Sequence, residues 1–365
     1  MTSDNRCYAS AATMDAYGNG RFNGTLDMNG YNESQSFSVY RSFVERQVLS
    51  SVISFISVFG ILGNTAVILA VLLVKKLQTS TNVFVLNLAV ADVLTCALLP
   101  WQVVALLNDE LVFPIWLCRT VAFVQLTCSG CNVNTLACIA ANSLIGITTP
   151  AHSRYRKLFT PLNLSLMVAL TWCVPAAVAT FPFLSDYAEY GYNPLYNTCV
   201  WHSNRSYGLA YAMVLAIMFF PFQFTVLLIS YFKIFLYVRK ITRTTLRNSG
   251  STNDVDQDLQ RRLWTRQLAV TKNLFLVVCA FLFCILPYFV VLGIPGFAKE
   301  YLGYAKTILM ANSCVNPIIY ATRHPDFRLV FGRVLCYKCK RPQTQGRANH
   351  NDKDREKKDI RYTAV

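Results

Sequence analysis

Seven stretches of roughly 20 or more mostly apolar residues run through this chain, and no other feature restricts its fold as strongly. They extend from about Val48 to Val74, Val83 to Leu107, Trp116 to Thr148, Leu164 to Leu184, Leu209 to Tyr237, Leu268 to Ile294 and Tyr301 to Ala321. A run of about 20 apolar residues spans a hydrocarbon core of roughly 30 Å. Within lipid every backbone N–H and C=O needs a partner in its own segment, so each run is expected to be a helix. The composition agrees: 54% of residues are hydrophobic and only 15% charged, which excludes an ordinary soluble domain. The expected fold class is all-α, a seven-helix transmembrane bundle. Met1 to Ser36 is polar and lacks the apolar core of a cleavable signal peptide, so the first span is expected to direct insertion.

An odd number of spans puts the termini on opposite faces, and the basic residues say which face is which. Of the 34 Lys and Arg, 26 fall in the first, third and fifth connections, the tail and the adjoining Lys272. This bias places the tail in the cytoplasm and the N-terminus outside. The net charge of +15 is explained by these flanking positions, so nucleic acid is not implied. The sequons at Asn23, Asn32 and Asn204 all fall on the outer side and are candidate glycosylation sites, whereas that at Asn163 falls inside and is expected to stay unmodified. The expected organisation is an extracellular segment 1–47, a bundle 48–322, an amphipathic helix with a palmitoylation region 323–341, and a disordered cytoplasmic tail 342–365. Localisation is expected at the plasma membrane.

Most of the 13 cysteines lie within spans, as small buried hydrophobes. Cys118, at the outer end of the third span, and Cys199, in the loop before the fifth, share an oxidising compartment, so a disulfide is expected in preference to two free thiols. Cys7 is then unpaired.

Polar residues in the spans are informative because lipid makes them expensive. Asp92 is the one carboxylate in any span. At 1.5 Å per residue it lies about 15 Å above the inner end of its helix, Asn64 about 16 Å above Lys75, and Asn316 about 10 Å above Arg323. The three therefore share a depth, with Asn132, Asn312 and Ser313 as candidate neighbours. Oxygen ligands around one carboxylate suit a small hard cation such as sodium or a purely structural hydrogen-bond network, and both readings stand open. No other cofactor or metal is expected.

These positions also carry a resemblance. Gly63-Asn64, Leu88-Ala89 with Asp92, the Cys118 and Cys199 pair, Trp172, Phe281 with Cys284 and Pro287, and Asn316-Pro317-Ile318-Ile319-Tyr320 resemble, in order, the signatures of rhodopsin-like (class A) G-protein-coupled receptors. The likeness covers about Val48 to Leu335. The stretch from Asn142 to Pro161 also looks like the second cytoplasmic loop of Moody-like orphan receptors, a weaker match. The resemblance implies a two-state bundle that passes an extracellular ligand signal to a heterotrimeric G protein, with Pro287, Asn316, Pro317 and Tyr320 in the activation switch.

The departures are specific. Where the family carries an acidic or Asn residue, Arg and an aromatic, this chain has Asn142-Ser143-Leu144. The family's arginine restrains the inactive state and then contacts G protein, so the alternative is a receptor-like ligand-binding or scaffolding protein without G-protein activation. Ile285 replaces the family's tryptophan before Pro287, and Pro221 precedes Tyr231 by ten residues where relatives have eight.

The candidate ligand pocket comprises Gln125, Ser129, Tyr288 and Lys306. An aspartate at the Gln125 position is implied for amine receptors, and its absence argues against an amine ligand. Met310 stands where opsins carry their retinal lysine, which argues against a visual pigment. Lys306 can pair with an anionic ligand or snorkel to the outer surface, and snorkelling is preferred.

Beyond the last span, His324 to Leu335 reads as a short amphipathic eighth helix on the inner leaflet, and Cys336 and Cys339 suit palmitoylation. Thr363 and Val365 fit the carboxyl-terminal pattern read by PDZ domains, although a solvated tail end is nearly as good a reading. An enzyme is not expected, because none of the four His lies mid-span to act as base or ligand. A transporter would show internal repeats and paired broken helices, and neither is present.

Overall fold

The first helix begins five residues before the apolar run, because Ser42 accepts a hydrogen bond from the Glu45 N–H and caps it. This helix, α1 (Phe43–Leu73), is the first element of a computed structural model that describes residues 39–40, 42–149, 153–184, 188–202, 211, 215, 221–247, 255–293 and 301–336. The bundle continues with α2 (Ser80–Leu107), α3 (Ile115–Thr148), α4 (Pro161–Leu184), α5 (Pro221–Arg247), α6 (Val255–Gly293) and α7 (Leu302–Arg323). A six-residue helical turn, Ser153–Leu158, lies between α3 and α4.

Six of these helices are long and apolar enough to cross a membrane among the described residues. The other, α7, is diluted by Lys306, Asn312, Ser313 and Asn316 and takes its place in the bundle against α1, α2 and α6. Phe55, Leu62, Leu69 and Leu73 on α1 and Leu162, Leu166, Leu170 and Val174 on α4 are exposed at roughly helical spacing, as expected of faces turned to lipid. The apolar core lies between the helices. Phe84, Val85 and Leu88 of α2 meet Leu136 and Ile139 of α3, Val277 and Phe281 of α6, and Tyr320 of α7.

Gly63 sets the approach of α1 to α7. A methyl group there would sit 2.8 Å from Pro317 Cβ, so only glycine allows this spacing. Gly60 is equally constrained against Cys96.

The connection between α4 and α5 adds a β-hairpin to the expected all-helical architecture. Strands β1 (Glu189–Asn193) and β2 (Thr198–His202) pair antiparallel with Tyr192 opposite Cys199. Asn197 closes the turn at φ 44°, a left-handed conformation that asparagine tolerates better than most residues. Its Nδ2 donates to the Asn108 carbonyl at 2.8 Å and to the Tyr192 hydroxyl at 3.0 Å, which ties the turn to the end of α2.

After α7 the chain turns at His324 into α8 (Pro325–Cys336). Phe327 is fully buried and stacks on Tyr320, so this helix lies against the inner end of the bundle. The expected sites at Asn23, Asn32, Asn204, Cys339, Thr363 and Val365, together with Cys7, fall outside the described residues, and Cys336 is described only as the end of α8.

Candidate functional site

Asp92 is completely buried in α2, and two neighbouring helices supply its partners. Asn132 Nδ2 of α3 donates to Oδ1 at 2.9 Å, and Asn316 Nδ2 of α7 donates to Oδ2 at 2.8 Å. Ser313, three residues before Asn316, is buried on the same helix. One carboxylate therefore links three helices, and the α7 contact comes from the residue immediately before Pro317. Two expected members are placed differently. Asn64 donates instead to the carbonyls of Gly60, at 2.9 Å, and Ser313, at 2.7 Å, so it reaches Asp92 through the α7 backbone. Asn312 is buried but shares no hydrogen bond with Asp92.

The donor set fits a small hard cation. The side-chain oxygens of Asn64, Asn132, Asn312 and Asn316 are all buried, and none has a hydrogen-bond partner among the described residues. Of these amides Asn132 and Asn316 touch Asp92, and oxygen donors beside a carboxylate are the kind of site that alkali and alkaline-earth ions prefer. Among the described residues no group of three His, Cys, Asp or Glu could hold a metal.

A second polar cluster closes the hairpin end of the bundle. The bond between Cys118 of α3 and Cys199 of β2 is formed as expected, with alpha carbons 5.2 Å apart. Gln102 of α2, which sequence reasoning passed over, holds the hairpin beside it. Its Oε1 accepts from the Thr198 hydroxyl at 2.6 Å and the Cys199 N–H at 3.0 Å, while its Nε2 donates to the Cys199 carbonyl and to Gln125 Oε1, each at 2.8 Å. A lone polar residue near the outer end of an apolar span, two residues after Pro100, was the available signal.

Lys306 joins the same cluster, and the snorkelling expectation is corrected here. Its Nζ donates to the Thr198 hydroxyl at 2.6 Å and lies 3.5 Å from the Cys199 carbonyl. The hairpin folds over the bundle mouth and offers closer oxygens than bulk water, so the side chain turns inward. Of the other pocket candidates, Gln125 faces Gln102, Tyr288 packs edge-on against Phe289, and Ser129 returns its hydroxyl to the Gln125 carbonyl at 2.8 Å. Outside the spans, burial raises the Tyr40 hydroxyl to about 12, so it remains a neutral donor at the rim.

At the inner end, Asn142 and Ser143 are both buried. Asn142 Nδ2 donates to the Thr81 hydroxyl at 2.7 Å, and the Tyr155 hydroxyl donates to Asn142 Oδ1 at 3.0 Å. Asn273 Nδ2 of α6 donates to the Arg323 carbonyl of α7 at 2.6 Å, fastening two helices whose interiors contain Pro287 and Pro317. Tyr231 packs edge-on against Phe275, with ring centroids 5.0 Å apart, which joins α5 to α6.

Comparison with known proteins matches residues 63–320 to the family described as 7 transmembrane receptor (rhodopsin family). Galanin receptor type 2 of Rattus norvegicus is 31% identical over 296 residues, covering 78% of this chain and 74% of that protein. The alpha-1A adrenergic receptor of Oryzias latipes is 26% identical over 358 residues, covering 89% and 74%. The 5-hydroxytryptamine receptor 4 of Homo sapiens is 25% identical over 324 residues, covering 80% of each. The fold matches the crystal structure of squid rhodopsin with a TM-score of 0.74 at 20% identity, over 89% of this chain and 93% of that one. None of these four is a Moody-like receptor, so they add no support to that finer likeness.

Proposed function

Because the chain belongs to the rhodopsin family of seven-transmembrane receptors, we infer that it is a cell-surface receptor coupling an extracellular ligand to a cytoplasmic G protein. The observation that carries this reading is the link from Asp92 to Asn132 and Asn316, which makes α7 at Pro317 responsive to the packing of α2 and α3. Pro317 lacks the N–H that would complete its helix, so α7 is weakest where this link grips it. A ligand that favours one arrangement of the mouth then shifts the population of arrangements at the inner face.

The reading includes five finer assignments. Asp92 with the side-chain oxygens of Asn132, Asn312, Ser313 and Asn316 would hold a sodium ion, which would supply a counter-charge to the carboxylate. Coupling is weak or unusual, because Ser143 is short and neutral where relatives carry a guanidinium with five donors. The N-terminus is extracellular and glycosylated at Asn23, Asn32 and Asn204, following the distribution of basic residues. Cys336 and Cys339 are palmitoylated, and Thr363 and Val365 engage a PDZ domain.

The ligand is not assigned from relatives. Although the names of two of them carry adrenergic and 5-hydroxytryptamine ligands, Gln125 offers no carboxylate to an ammonium group.

The test is expression of the full chain in cells with dissociation sensors for each class of G-protein α subunit. Dissociation above that of cells lacking the chain, in at least one class, is expected. A chain that reaches the surface yet moves no sensor, with or without tissue extracts as ligand source, would instead be a binding or scaffolding protein.

A further inference from the structure

We propose that the outer pocket between α2, α3, α7 and the hairpin binds a ligand bearing a compact oxyanion, a carboxylate or a phosphate, which pairs with the Lys306 ammonium. This rests on reading the chain as a ligand-driven receptor, and it names the chemistry of that ligand. Lys306 sits on α7 beneath the hairpin, and its contacts are a hydroxyl and a carbonyl, Thr198 and Cys199. Both are neutral. Among the described residues no carboxylate forms an ion pair with it, and the acidic Asp109 at the rim is engaged by Arg46 at 2.7 Å. A half-buried cation with only neutral partners gains from an opposite charge, so this ammonium is poised for an anion from outside.

Helix α3 supplies a second donor. Gln125 Nε2 is buried and has no acceptor, although its Oε1 is used by Gln102. Gln102 cannot satisfy it, because both ends of that amide are committed to Thr198, Cys199 and Gln125. A buried amide donor without a partner is the exception in folded proteins and calls for a missing acceptor. Lys306 on α7 and Gln125 on α3 are thus two donors joined through Thr198 and Gln102, and the proposed oxyanion is one that both serve. A neutral ligand would leave the ammonium uncompensated. A cationic one would be repelled.

The experiment measures thermal unfolding of the purified full chain in detergent micelles with added acetate, succinate or inorganic phosphate, against chloride at equal ionic strength. One class, carboxylate or phosphate, is expected to raise the midpoint saturably, by about 5 °C at a hundred times its half-saturating concentration. Comparing acetate with phosphate identifies which group the pocket reads. Lys306→Arg should keep the rise, Lys306→Met should abolish it, and Gln125→Leu should increase the half-saturating concentration about ten-fold. If Lys306→Met does not fold, the Gln125→Leu shift decides. No rise with any oxyanion, or an equal rise in Lys306→Met or an unshifted one in Gln125→Leu, overturns the proposal. The readout needs no G protein. A chain that binds oxyanion without coupling contradicts only the signalling reading, and one that couples without an oxyanion effect contradicts only this inference.

Discussion

The Tyr155 hydroxyl donates to Asn142 Oδ1 at 3.0 Å, so the loop after α3 is fastened to the position just before Ser143. Asn142 in turn reaches Thr81 at the start of α2, which makes it a bridge between two helices and the loop. Tyr155→Phe removes one neutral hydrogen bond and should lower stability by about 0.5–1.5 kcal/mol. Asn142→Ala leaves both Thr81 and Tyr155 without a partner and should lower it by about 1–3 kcal/mol. Thermal unfolding in detergent checks the order. Equal midpoints for both variants and the parent chain would contradict the bridge.

Asp92 is predicted to make bundle stability depend on sodium. Replacing it by Asn removes the charge while preserving shape, so the parent chain should unfold at a higher temperature in sodium chloride than in choline chloride, and Asp92→Asn should not. A sodium response retained in Asp92→Asn would assign these oxygens to a purely structural network.

The contact of Gly63 with Pro317 predicts a steric effect. Gly63→Ala pushes α1 from α7 and should destabilise by about 1–3 kcal/mol, the usual penalty for overpacking. Gly332 in α8 has no heavy atom within 4 Å of an added Cβ. Gly332→Ala should therefore be neutral or stabilising by about 0.5–1 kcal/mol. Unfolding midpoints that fall equally in both variants would contradict the close approach.

The helices and the Asp92 neighbourhood were legible because length in lipid fixes the first and helical rise fixes the second. Depth alone brought Asn316 to Asp92, but it could not say that Asn64 turns to the Ser313 carbonyl, which depends on helix rotation. The hairpin was not read, although Asn193-Pro194 and Asn197 between two aromatic-containing runs are turn signals. The position of Lys306 depends on the same hairpin. Near a helix end facing water it should snorkel, and only a strand crossing the mouth gives it nearer partners. Gln102 was passed over for the same reason, since its partners Thr198 and Cys199 are about a hundred residues away.

The central claim is that this receptor activates G protein through an inner face in which Ser143 replaces the arginine of its relatives. Nucleotide exchange on purified G proteins, with the full chain in membranes beside its Ser143→Arg variant, tests it most directly. A charge-assisted hydrogen bond is worth about 1.5–3 kcal/mol, so restoring the guanidinium should raise exchange roughly ten-fold to a hundred-fold over a low but measurable parent rate. Exchange no faster than in receptor-free membranes for both chains, with every class of α subunit, would contradict the account.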